Sequence, residues 1–166
     1  MAVNLALAKQ HLRVESADED TLITTYLAAA KAWVENYTGL RLTRGAVRQV
    51  ETAFAPYISL NYGPLPANVS IAYTDDVGAP QTIADAVIAG SRIYRPSGWP
   101  SIGEATEISV SYEAGFEETP ADLDAAVLLL TGHWYEHREA VNVGNITSEL
   151  ALAVEALCRP YRAVLV

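Results

Sequence analysis

The spacing of apolar residues changes twice along this chain, and those two changes constrain the fold more than any single motif. Leu22, Ile23, Tyr26, Leu27, Ala30, Trp33, Val34 and Tyr37 recur at intervals of three and four, which is one face of an α-helix. From about Gly45 the period falls to two. AVRQVETAF, NVSIAYTDD, AVIAGSRIYRP and TEISVSYEAGF alternate or are rich in β-branched and aromatic residues. After Pro120 the helical period returns through Leu123, Val127, Leu130 and Trp134. A chain that buries a helical stripe, then a run of half-buried strands, then a second stripe is an α+β chain with its helices and strands segregated.

Local signals place the boundaries. Asn4 can cap a short helix over residues 4–13. Beyond the polar break ESADED, Asp18 or Asp20 supplies the cap and the negative first turn of a helix over 18–38, and Gly39 ends it. Clusters of Pro and Gly, in YGPLP, VGAP and RPSGWPSIG, separate about four short antiparallel strands within a β insert at about 45–113. Turns are expected near Asp75–Pro80 and Pro96–Gly103. Pro120 opens a helix over 120–139, where a missing N–H does no harm. The last helix is expected at 148–158, with an extended tail over 159–166 because Pro160 cannot continue a helix comfortably. The expectation is one domain, residues 1–166: a bundle of about four helices with a small antiparallel β insert between the second and third main helices. Trp33 and Trp134 lie on apolar stripes and are expected in the core. Trp99, among Pro and Gly, is expected to be tolerant of change or to act at an interface.

The totals exclude several functions. The 166 residues are 51% hydrophobic, enough for a core, yet no apolar run approaches the roughly 18–20 residues that cross a bilayer, so no membrane partner is expected. The opening MAVNLALAKQHLRV has no basic lead and does not read as an export signal. One cysteine, Cys158, excludes an internal disulfide and every multi-cysteine metal site. Twenty acidic against 11 basic residues give a net charge of −9, which argues against a protein that grips nucleic acid through its phosphates. An acidic protein can still surround DNA without holding it.

One stretch points to chemistry. HWYEH, residues 133–137, is the H-x-x-E-H arrangement of inverted zinc peptidases. On a continuous helix His133 and His137 share a flank of the apolar stripe, and Glu136 is close enough to orient a water, so a small zinc hydrolase is one reading. A catalytic zinc needs a third protein ligand. The remaining histidine, His11, lies in the opening segment, and the carboxylates downstream are Glu139, Glu149 and Glu155. The competing reading is a packing helix that carries two histidines. SGWPSIG has no basic residue to complete a phosphate cradle, and no G-x-S-x-G elbow exists. No metal, cofactor or catalytic residue is therefore assigned. An unrelated scaffold or regulatory domain is a third reading.

Four motifs in order carry a resemblance. They are Glu35-Asn36-Tyr37-Thr38-Gly39; Val110, Tyr112, Ala114, Gly115 and Phe116 ahead of the proline-started helix; Trp134-Tyr135-Glu136 with Arg138-Glu139; and Pro160-Tyr161-Arg162. With the helix pair LALAKQHLRVESADEDTLITTYLAAAKAWVENYTGLRL, this order resembles the head–tail connector (adaptor) proteins of long-tailed bacteriophages and phage-derived gene transfer agents. Residues at about 43–105 match poorly, and Cys158 stands where the family pattern has a second leucine. The resemblance implies a structural virion-assembly protein rather than an enzyme, made in the bacterial host cytoplasm and located in the particle neck. It implies a ring of itself, commonly of twelve copies, below the portal protein. Such a ring extends the DNA channel and meets a neck or tail-proximal protein, a stopper or tail terminator, while DNA passes without sequence-specific binding. Candidate interface residues are Arg138, Tyr161, Arg162, Val164 and Leu165. In such a family the W-Y-E-x-R-E helix is a packing element, which favours the structural reading of His133 and His137.

Overall fold

A computed structural model of the chain describes residues 3–64, 66–102, 107–137 and 146–162. The chain divides into two compact units, one from residues 1–42 and 118–166 and the other from residues 43–117. Both are built of elements consistent with an α+β chain.

The first unit is helical: α1 (Leu5–Leu12), α2 (Asp20–Thr38), α3 (Ala121–Glu136) and α4 (Ile146–Cys158), followed by a 3-10 turn at Arg159–Tyr161. Asn4 caps α1, its side chain accepting from the Leu7 amide at 2.9 Å. Asp18 does not cap α2; its carboxylate accepts from the Ser16 hydroxyl at 2.6 Å. Asp20 instead sits in the first turn of α2 and pairs with Lys9 at 2.6 Å, while Lys9 also donates to the Ser16 carbonyl at 2.8 Å. One lysine thus binds α1, the connecting loop and the positive end of the α2 dipole. Gly39 stops α2 in the left-handed conformation, φ 70°, and donates to the Glu35 carbonyl.

The helical core includes Ile23, Leu27, Ala30 and Val34 from α2, Leu123, Ala126, Val127 and Leu130 from α3, and Val154 and Cys158 from α4. Burying a large apolar side chain of this kind stabilises by about 1.5–3 kcal/mol. Trp33 and Trp134 were expected among them but are only half-buried. Trp33 stacks on Tyr37 at the border of the stripe, ring centroids 5.1 Å apart and planes at 7°. An apolar stripe of large residues is wider than the strip its neighbours cover, and a bulky ring at its margin keeps one edge in water. Residues 159–161, expected to run extended, continue as the 3-10 turn, with Pro160 near its start where no amide is required.

The second unit is not a small insert of about four strands. Among the described residues it holds seven: β1 (Gly45–Glu51), β2 (Ile58–Ser59), β3 (Ala67–Thr74), β4 (Pro80–Ile83), β5 (Val87–Ala89), β6 (Arg92–Tyr94) and β7 (Ile108–Ala114). They form two antiparallel sheets, β1-β7-β3-β4 and β2-β6-β5. Strand β7 is central in the larger sheet, paired with β1 from Gly45↔Ala114 to Glu51↔Ile108 and with β3 on its other side. Its Ile108, Val110, Tyr112 and Ala114 all point inward and are buried with Ile58, Leu60, Ile71, Ile83 and Ile93. The segment AVIAGSRIYRP reads as one strand by composition. It folds as two, because Gly90 adopts φ 62° and reverses the chain between β5 and β6. Trp99, expected to be tolerant of change or to act at an interface, is half-buried. It stacks on Phe54 at 4.8 Å and 5°, donates its indole N–H to the Pro56 carbonyl at 3.4 Å, and packs against the β core. Among the described residues no helix is long and apolar enough to cross a membrane.

Candidate functional site

His133 and His137 do not share a continuous helix, as the zinc reading assumed. Helix α3 ends at Glu136, so His137 is its C-cap residue, at φ −114° and ψ 71°, and not the next turn of a continuous helix. The two imidazoles stack on each other, centroids 4.6 Å apart. Nδ1 of His137 lies 3.1 Å from the His133 carbonyl, an acceptor, so that nitrogen is the donor in this contact. Among the described residues no group of three or more His, Cys, Asp or Glu side chains is placed to hold a metal ion.

The motifs are instead joints. In Glu35-Asn36-Tyr37-Thr38-Gly39 the Glu35 and Thr38 side chains help turn the chain out of α2. Glu35 accepts from the Leu42 amide at 2.9 Å and from the Arg41 guanidinium at 3.2 Å. Thr38 is buried, donates to the Val34 carbonyl at 2.7 Å, and accepts from the Leu40 amide at 3.3 Å. Across the unit, the Thr119 hydroxyl donates to the Leu42 carbonyl at 3.0 Å, fixing the same turn to the residues that precede α3. In Trp134-Tyr135-Glu136, the Tyr135 hydroxyl donates to the Glu19 carboxylate, tying the end of α3 to the start of α2.

Gly115 is a steric requirement. Its φ is +120°, and a Cβ there would stand 2.5 Å from the Thr43 carbonyl oxygen, a backbone atom. Its amide donates to the Pro64 carbonyl at 3.0 Å. The alternating Val110, Tyr112 and Ala114 ahead of it are the inward face of β7, and the Tyr112 hydroxyl accepts from the Tyr62 amide at 3.1 Å.

The last motif brings two of the five candidate interface residues into view. The Tyr161 hydroxyl donates to Asp122 at 3.2 Å, and the Arg162 guanidinium lies over the Tyr37 ring, 5.5 Å from its centroid. Burial, and next the bond to Asp122, push the Tyr161 hydroxyl above its ordinary 10.0. Both residues therefore root the C-terminal segment on its own helical unit. Arg138, Val164 and Leu165 lie outside the described residues. Residue spacing does not reveal that Pro160-Tyr161-Arg162 meets Tyr37 and the first turn of α3, because those partners are 39 and 125 positions away. Gln49 also escaped sequence reasoning. It is a buried amide that donates to the Ser59 carbonyl at 2.9 Å and accepts from the Asn61 amide at 3.1 Å.

Known proteins give this arrangement a context. No curated protein sequence matches the chain. Solved structures do. A chain from the neck of an empty gene transfer agent particle computed with C6 symmetry is 28% identical, with TM-score 0.82, covering 99% of this chain and 91% of that one. A chain from the virion of a native gene transfer agent particle is 28% identical, with TM-score 0.80 and the same coverage. A chain from the neck of a native gene transfer agent particle computed with C12 symmetry is 26% identical, with TM-score 0.75, covering 100% of this chain and 94% of that one. The head completion protein family matches residues 4–149, which contain the joints at Glu35, Thr38, Gly115 and Tyr135 as well as the whole β unit, and the chain belongs to that family.

Proposed function

We propose that this chain is a structural head–tail connector of a phage or gene transfer agent particle, located in the neck and without catalytic activity. The observation that carries this reading is the agreement of family and shape: the head completion family covers residues 4–149, and neck chains of gene transfer agent particles align over 99–100% of the chain. The motifs that suggested chemistry serve as internal joints, consistent with a protein whose product is an assembly.

In this reading the chain, residues 1–166, acts as one connector subunit in which the four helices work as a bundle. Copies form a ring, and the C12 symmetry of a related neck supports twelve. The ring sits under the portal and extends the DNA channel toward a stopper or tail terminator. A net charge of −9 suits a passage that must not retain DNA. Arg138, Val164 and Leu165 are assigned to contacts with the portal or a neighbouring copy. Tyr161 and Arg162, engaged with Asp122 and Tyr37, set the direction in which the tail departs.

The test is deletion of the gene in a producing cell, followed by complementation. DNA-filled heads without tails are expected, with tails restored by the wild-type chain. Tailed, functional particles from the deletion strain would refute the proposal. A variant lacking residues 160–166 is expected to fold alone but to leave heads untailed. If that variant unfolds, the tail serves the chain's own core.

A further inference from the structure

The β unit presents two exposed features that match each other. The first is the tip of the β3–β4 hairpin. Val77 there is 82% exposed, the most exposed large apolar side chain among the described residues, and Asp76 beside it is also exposed. The tip is held rigidly. Asp75 accepts from the Val77 amide at 3.1 Å, the Ala79 amide at 2.8 Å and the Gln81 side chain at 2.9 Å. Gly78 at φ +84° completes the turn and donates to the Asp75 carbonyl at 3.1 Å. A loop fixed by one carboxylate, with a valine pointing into water, is already ordered for contact and loses little entropy on docking.

The second feature is the outer face of the β2-β6-β5 sheet. In register, Val87 lies opposite Tyr94 and Ala89 opposite Arg92, while Ile58, Ile88 and Ile93 fill the other face. Tyr57, Tyr94 and Val87 are 45%, 40% and 38% exposed, so three of the exposed large apolar side chains share this one face. The Arg92 guanidinium lies over the Tyr57 ring, 4.3 Å from its centroid. Tyrosine and arginine beside an apolar residue are the side chains that dominate binding energy at protein interfaces.

We propose that copies of this chain join head to tail by seating the Asp76-Val77 tip of one on the Tyr57, Val87, Arg92 and Tyr94 face of the next. The inference rests on the ring reading above. Cyclic assemblies of more than two copies use heterologous contacts, in which one patch meets a different patch on the neighbour. Tip and face are such a pair, one knob and one platform per copy. Their chemistry is complementary: Val77 meets the Tyr94 and Val87 surface, and the Asp76 carboxylate meets the Arg92 guanidinium.

Cross-linking tests the geometry. Particles are produced with a Val77→Cys plus Val87→Cys chain and treated with a mild oxidant; the native Cys158 is buried and adds no background. A ladder of covalent multimers is expected from the double variant, only dimers from a mixture of the two single variants, and no ladder from either single variant alone. Charge reversal tests the chemistry. Asp76→Arg or Arg92→Asp should lower the amount of ring about tenfold, and the two together should restore most of it. If Arg92→Asp does not fold, Val77→Cys with Tyr94→Cys gives the same ladder test. Rings that form normally but give no ladder, or single reversals with wild-type yield, overturn this interface while leaving the ring reading intact. Necks in which the wild-type chain shows no cyclic order overturn both.

Discussion

The helical unit is joined by individual side chains, whereas the β unit is joined mostly by backbone. In the helices every interior backbone group is satisfied within four residues, so the elements meet only through side chains such as Lys9 with Asp20, Tyr135 with Glu19 and Tyr161 with Asp122. In the β unit the pairing of β1 with β7 joins Gly45 to Ala114 through main-chain bonds that any alternating sequence can make. The lesson concerns where the sequence motifs fall. Outside β7 the motifs sit where one side chain is the joint, as at Glu35, Tyr135 and Tyr161. In the β unit the motif at the end of β7 includes Gly115, whose requirement is steric.

The most forceful way to break that comparison is Gly115→Ala. The new methyl must displace the Thr43 backbone at a φ that alanine resists, and a loss of about 2–5 kcal/mol in urea unfolding is expected. Leu123→Ala, a buried truncation in the helical unit, should cost a similar 2–5 kcal/mol or so. A Gly115→Ala chain as stable as wild type would show that the Thr43 backbone yields to a methyl group at no cost.

Joint residues provide the sharper contrast. Glu35→Ala leaves the half-buried Leu42 amide and Arg41 side chain without this acceptor, and about 1–3 kcal/mol should be lost. Ser70→Thr, on the exposed face of β3, should stay within about 0.5 kcal/mol. Gln49→Leu is the informative intermediate. It removes the single buried amide that bonds Ser59 and Asn61, and a loss of about 1–3 kcal/mol would show that the β unit also depends on one side-chain joint. No loss would mean that the strand ladders alone hold it.

The smallest effect concerns Cys158. Burial pushes its thiol from 9.0 up to about 11, so folding favours the protonated form. That contribution is complete below pH 9.0 and is lost as pH rises toward 11. At pH 8 iodoacetamide should label the native chain at least about a hundredfold more slowly than the urea-unfolded chain. Equal labelling rates would place the thiol at the surface and α4 in a different register.

What the residues determined alone is whatever has a local cause. The period of Leu22 to Tyr37, the cap at Asn4, the stop at Gly39 and the proline before α3 each act within one or two turns, so α1, α2 and the start of α3 stand in the sequence as written. Tertiary structure decided everything that needs a distant partner: seven strands in two sheets among the described residues where about four were expected, the packing of Trp99 on Phe54, and the half-exposure of Trp33 and Trp134. It also decided the use of Tyr161 and Arg162. A sequence shows that a tyrosine and an arginine follow a proline, but only the fold brings Asp122 and Tyr37 beside them. Hydrophobic period and capping are properties of neighbours in the chain, whereas burial and pairing belong to whichever surfaces the folded chain brings together.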